Sequence, residues 1–124
     1  MKIIKTQNAP QPIGPYNQAV EHNGTLYVSG QVAIDPTTGT MDNADLQSEA
    51  HRVMKNLGAV LQAAGMDYSN IVKCSIFLLD MGRFSEVNEV YGSYFSSNFP
   101  ARETIQVVAL PRGAKVEISA IAVI

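Results

Sequence analysis

The chain has 124 residues, of which 46% are hydrophobic and 16% charged, and its formal net charge is −2. That length suits one domain, residues 1–124, with a core of its own. The nine lysines and arginines are scattered singly, which argues against a nucleic-acid binder, and no apolar run is long enough to cross a bilayer.

So few charges on a small domain suggest that part of the surface is hidden in an oligomer. The opening stretch "MKIIKTQNAP" has no long apolar core and no small-residue cleavage site, so no signal peptide is expected. The single cysteine, Cys74, excludes an internal disulfide and fits a reducing cytoplasm.

In chain order, "KIIKT" is a short strand, followed by a Pro- and Gly-punctuated loop, "QNAPQPIGPYNQ". "AVEHNGTLYVSGQVAI" reads as a hairpin turning at Asn23-Gly24, with Leu26, Val28, Val32 and Ile34 on one face. "DPTTGT" is a turn. From Asp45 to Ala64 the period lengthens: Leu46, Ala50, Val53, Leu57, Leu61 and Ala64 recur every three or four residues, the mark of an amphipathic helix. Asp45 is its expected N-cap and Gly65 its left-handed C-terminal stop.

"NIVKCSIFLLD" is the next strand. Asp80 is expected to cap a second helix, with Phe84, Val87, Tyr91 and Tyr94 as its buried stripe. "ETIQVVAL" and "KVEISAIAVI" are two further strands around the turn "PRGA". In the last one, Val116, Ile118, Ala120, Ala122 and Ile124 share one face, and Glu117, Ser119, Ile121 and Val123 the other. The order β-β-β-α-β-α-β-β predicts an α+β fold: one mixed sheet with two helices on one face. The other face needs cover, which copies of the same chain could supply.

Arg102 and Glu117 are the leading site residues. A guanidinium at the mouth of a strand, in "FPARET", suits a bidentate hold on a carboxylate. Its bland alternative is a salt bridge to Glu103, Glu117 or a neighbouring subunit. Glu117 interrupts an apolar strand, where a carboxylate is either paired, working or at a solvated edge. Tyr16 in "IGPYNQA" and Ser29 in "VSGQ" carry weaker signals, beside glycines that allow close approach. His22 and His51 lack metal-ligand spacing, so no metal site is expected; His51 reads as a surface residue and Cys74 as a small buried hydrophobe.

Several motifs together resemble the RidA/YjgF family, also called the L-PSP or reactive-intermediate-deaminase family. They are "PIGPYNQAV", "YVSGQVAIDPTTG", "AAGMDYSNIVKCSIFLLDM", "FPARET" and "LPRGAKVEISAIAV", in order over essentially the whole chain. The resemblance implies a chorismate-mutase-like fold and a homotrimer whose sheets form a central barrel, with clefts between subunits. It implies hydrolysis of reactive enamines and imines, such as 2-aminoacrylate and 2-iminopropanoate, to 2-oxo acids and ammonia. No metal or organic cofactor is implied, because an imine is already electrophilic.

By the same resemblance Arg102 binds the substrate carboxylate and Glu117 positions the water. Tyr16 and Ser29 line the site, and Thr104 stands where the family often has a cysteine that meets the ligand through its backbone. Glu103, beside the arginine, departs from the usual small polar residue and could compete for Arg102. Two other readings stay open: a non-catalytic regulatory trimer that binds 2-oxo acids, which would keep Arg102 but not need Glu117, and an endoribonuclease that inhibits translation, which the acidic balance disfavours.

Overall fold

The computed structural model describes residues 1–124. Six strands form one sheet: β1 (Lys2–Ile4), β2 (Ala19–His22), β3 (Thr25–Gln31), β4 (Ile71–Leu78), β5 (Ala101–Gln106) and β6 (Val116–Val123). Their spatial order is β1-β2-β3-β6-β4-β5. Only β4 and β5 run parallel; every other neighbour is antiparallel. Two helices, α1 (Leu46–Ala63) and α2 (Phe84–Gly92), cross between strands on the same face. This is the mixed sheet with two helices that the periodicities predict.

Local chemistry explains the boundaries. Asn23 and Gly24, with φ of 51° and 80°, supply the turn between β2 and β3. The Asp45 carboxylate accepts the Ser48 N–H at 2.7 Å and starts α1. At its far end Gly65, at φ 75°, lets the Gly65 and Met66 N–H groups return to Gln62 and Leu61 carbonyls. The core face of α1 buries Leu46, Ala50, Val53, Leu57 and Leu61 against β3 and β6. Burying each large aliphatic chain contributes about 1.5–3 kcal/mol.

Three expectations need correction. Asp80 caps a short 3-10 turn, Met81–Arg83, rather than α2, which follows it directly without a side-chain cap. Of the expected α2 stripe, Val87 and Tyr91 are buried, together with Val90. Phe84 is only partly so, and Tyr94 lies beyond the helix end. The fifth strand starts at Ala101 and stops at Gln106, although β-formers continue to Val108. Its sole partner, β4, ends at Leu78 opposite Gln106, so after the Val107 N–H meets the Leu78 carbonyl nothing remains to pair with. Val108 is fully exposed.

β6 alternates as expected. Val116, Ile118, Ala120 and Ala122 are buried under the helices, while Glu117, Ser119, Ile121 and Val123 are half-buried on the opposite face. That helix-free face also presents Tyr27, Phe77 and Ile105, with no element of this chain over it. His51 is not a free surface residue: its Nδ1 lies 2.9 Å from the Tyr94 hydroxyl. No helix is long and apolar enough to cross a membrane.

Candidate active site

Glu117 opens into a cavity of about 360 Å³ that Tyr16, Ser29, Gly30, Gln31 and Arg112 also line. The loop between β1 and β2 brings Tyr16 there. Buried Gln18 ties that loop down, accepting the Thr6 N–H at 2.8 Å and donating to the Thr6 and Pro10 carbonyls at 2.9 Å. Tyr16 itself stays 50% exposed at the cavity mouth. The Ser29 hydroxyl donates to the Asn17 carbonyl at 2.6 Å, which commits its proton and leaves its lone pairs free.

Ser29 and Gly30 occupy a β-bulge. Val28 pairs with Ala120 and Gln31 with Ile118, so two residues of β3 oppose Ser119 alone. The bulge brings the β3 backbone against the Glu117 side chain. A Cβ at Gly30 would lie 2.6 Å from Glu117 Oε2 and 2.7 Å from its Cδ, so only glycine leaves the carboxylate its place. Glu117 has no hydrogen bond or ion pair within the chain, and burial raises its carboxyl above the ordinary value. A half-dry, unpartnered carboxylate is suited to accept and return a proton.

Arg102 lies elsewhere. On β5 it is in register with Cys74, which faces Ala120 on β6, and both of these are buried on the helix side. Its guanidinium reaches α2, where Nη1 donates to Asn88 Oδ1 at 2.7 Å. The Phe84 and Tyr91 rings sit 5.2 and 5.0 Å away, within cation–π range. Arg102 borders a second cavity, of about 420 Å³, with Asn88, Tyr91, Gly92, Phe99 and Pro100. It makes no ion pair within the chain.

Glu103 does not compete for Arg102. It points to the helix-free face, where Oε1 meets Lys73 Nζ at 2.9 Å and Oε2 accepts the Ser75 hydroxyl, and these partners lower its carboxyl. Thr104 is in register with buried Ile76, and its hydroxyl is buried without a partner in the chain, in neither cavity. Burial pushes the Cys74 thiol up to about 11, which keeps it protonated at neutral pH and matches its reading as a hydrophobe.

Tyr16, Ser29 and Glu117 thus meet, and Arg102 does not join them within one chain. The platform under Arg102 is absent from the sequence reading. Its signal was available: Phe84, Asn88 and Tyr91 stand at i, i+4 and i+7 of one helix, so a lone amide shares a stripe with two rings.

Residues 6–124 match the family described as Endoribonuclease L-PSP. The chain is 54% identical over 124 residues to Protein DfrA of Myxococcus xanthus, covering 98% of this chain and 95% of that protein. It is 51% identical over 122 residues to a mouse protein named 2-iminobutanoate/2-iminopropanoate deaminase, covering 98% and 90%. Among solved structures, Escherichia coli TdcF with bound serine superposes with a TM-score of 0.96 at 40% identity, covering 100% of this chain and 99% of that one.

Proposed function

This chain belongs to the Endoribonuclease L-PSP family, and from that premise we propose that it is a deaminase of reactive 2-imino acids and their enamine tautomers. Its products are a 2-oxo acid and ammonia. Relatives named 2-iminobutanoate/2-iminopropanoate deaminase, 47–51% identical over nearly the full chain, support this reading. The observation that carries it is a pair of complementary, unsatisfied groups. Arg102 is a cation held in place by an amide and two rings, with no anion in the chain. Glu117 is a half-buried carboxylate with no ion pair in the chain. A small anionic imine needs both.

In this reading the two groups come together between copies of the chain, in a homotrimer built on the uncovered sheet face. Arg102 grips the substrate carboxylate through two parallel N–H···O bonds. The enamine 2-aminoacrylate first takes a proton at its methylene carbon and becomes the iminium form of 2-iminopropanoate. Glu117 accepts a proton from a water as the oxygen bonds to the iminium carbon, and the C=N electron pair goes to nitrogen, leaving a neutral carbinolamine. Glu117 returns its proton to the carbinolamine nitrogen, ammonia leaves with the C–N electron pair, and the hydroxyl proton passes to solvent as the C=O bond forms. Tyr16 and Ser29 border the reacting centre, and Thr104 contributes its backbone. One domain per chain, working in the cytoplasm, fits this chemistry and the one buried thiol.

The test is release of 2-oxo acid from enzymatically generated 2-aminoacrylate, with and without the protein. No acceleration over spontaneous hydrolysis sinks the deaminase reading. Light scattering at three times the 13.4 kDa of one chain is expected, and a stable monomer at micromolar concentration sinks the shared site.

A further inference from the structure

We propose that Glu49 and Asn56, both on the core face of α1, are positioning residues for Glu117: they fasten the two backbone segments that wall its cavity. The inference rests on the reading of Glu117 as the group that handles the attacking water. Seven residues apart, or about two helical turns, the two side chains share one face of the helix. Both are fully buried among Ala50, Val53, Leu57 and their neighbours.

An apolar residue would serve that core better. Glu49 Oε1 and Asn56 Oδ1 are each buried without a hydrogen-bond partner in the chain, a cost that leucine or methionine would not carry. The atoms that are partnered all meet backbone beside the Glu117 cavity. Glu49 Oε2 accepts the Lys115 N–H at 2.6 Å and the Val116 N–H at 3.3 Å, the two residues immediately before Glu117. Asn56 Nδ2 donates to the Val32 carbonyl at 3.0 Å and the Ile34 carbonyl at 2.9 Å, just past Gly30. Val32 and Ile34 line the same cavity.

One rigid helix therefore holds both sides of a tight gap. Glu117 Oε2 lies so near Gly30 that even a Cβ cannot enter, so a shift of either wall moves the carboxylate. Catalytic groups work within a tolerance of about 0.5 Å, and a misplacement of about 1 Å can cost ~10²-fold in rate. A polar tie from α1 to each wall supplies that tolerance where side-chain packing alone would let the bulge at Ser29–Gly30 slide.

The experiment compares Glu49→Gln and Asn56→Leu in the native and Glu117→Gln backgrounds. Each is assayed for kcat on 2-iminopropanoate, for 2-oxobutanoate binding by calorimetry, and for Tm. In the native background kcat should fall about tenfold or more while 2-oxobutanoate binding stays within about twofold, because the carboxylate clamp is elsewhere. In the Glu117→Gln background the same substitutions should cost nothing further, since the group they position is gone. Equal fold-losses in both backgrounds, or a lowered Tm with native kcat, overturn the positioning role and leave the deaminase reading standing. Native turnover by Glu117→Gln alone removes the water assignment and this inference with it. If Glu49→Gln does not fold, Asn56→Leu carries the comparison; if neither folds, the pair is structural and the proposal falls.

Discussion

Substituting alanine for Gly30 inserts one methyl group into the gap beside Glu117. Gly30 has no positive φ, so alanine adopts its backbone without strain and the perturbation is steric alone. The new Cβ would stand 2.6 Å from Oε2, 2.7 Å from Cδ and 3.1 Å from Cγ, against an ordinary contact that begins at 3.4 Å. The carboxylate must therefore retreat by about 0.8 Å, a displacement of the size that costs ~10²-fold in a positioned acid–base step. The far end of a glutamate swings at little cost, so the fold should lose no more than about 1–3 kcal/mol, the range for a tolerated overpacking. The assay measures kcat and KM for 2-iminopropanoate, with light scattering and thermal denaturation as controls. kcat should fall about 100-fold and KM change little. A folded Gly30→Ala protein with native kcat would refute the claim that the Glu117 carboxylate must sit where it does.

The remaining expectations concern the two charged groups and the platform under Arg102. Arg102→Ala should lower kcat/KM by about 30- to several-thousand-fold, and Arg102→Lys should rescue it only partly, having charge without a planar fork; native kinetics in the alanine variant defeat the clamp. Asn88→Leu removes the acceptor that orients Nη1 and should raise KM about tenfold with Tm nearly unchanged; an unchanged KM makes Asn88 a bystander. Burial raises the Glu117 carboxyl, so the folded state holds that proton more tightly than the unfolded chain does. Stability is then lost as pH rises above the ordinary value of 4.5 through the raised one. Glu117→Gln escapes this loss. Its Tm should match or exceed the native value at neutral pH, with the gap closing below pH 4.5, and a gap that widens on acidification reverses the sign.

Most of the architecture was legible because periodicity reports burial directly. The three-to-four spacing of Leu46, Ala50, Val53, Leu57 and Leu61 specifies α1, and strict alternation specifies β6. The end of β5 was not legible, since Val107 and Val108 are good β-formers, and pairing stops there only because β4 ends at Leu78. Tyr16, Ser29 and Glu117 were named from local context, and all three line one cavity. The fate of Glu103 depended on register: only the parallel pairing with β4 sets Lys73 and Ser75 beside it and turns it away from Arg102. Nothing in the local pattern of α1 marks out Glu49 and Asn56. Their meaning lies in backbone groups 66 and 24 residues away, which no local pattern encodes.

Arg102 turns toward the helices and Glu117 toward the bare side of the sheet; under the proposed trimer, turnover belongs to a pair of chains and not to one. That has a genetic consequence. Two inactive proteins, one lacking the arginine and one lacking the glutamate, each keep the half that the other has lost. Co-refolded in equal amounts into closed rings, they should regain roughly one quarter of the native sites, because each site draws one residue from each of two neighbouring copies. By the same arithmetic a single lesion mixed with the native chain costs no more than its dose: each site needs only one sound arginine and one sound glutamate, so activity should fall in simple proportion to the damaged subunits.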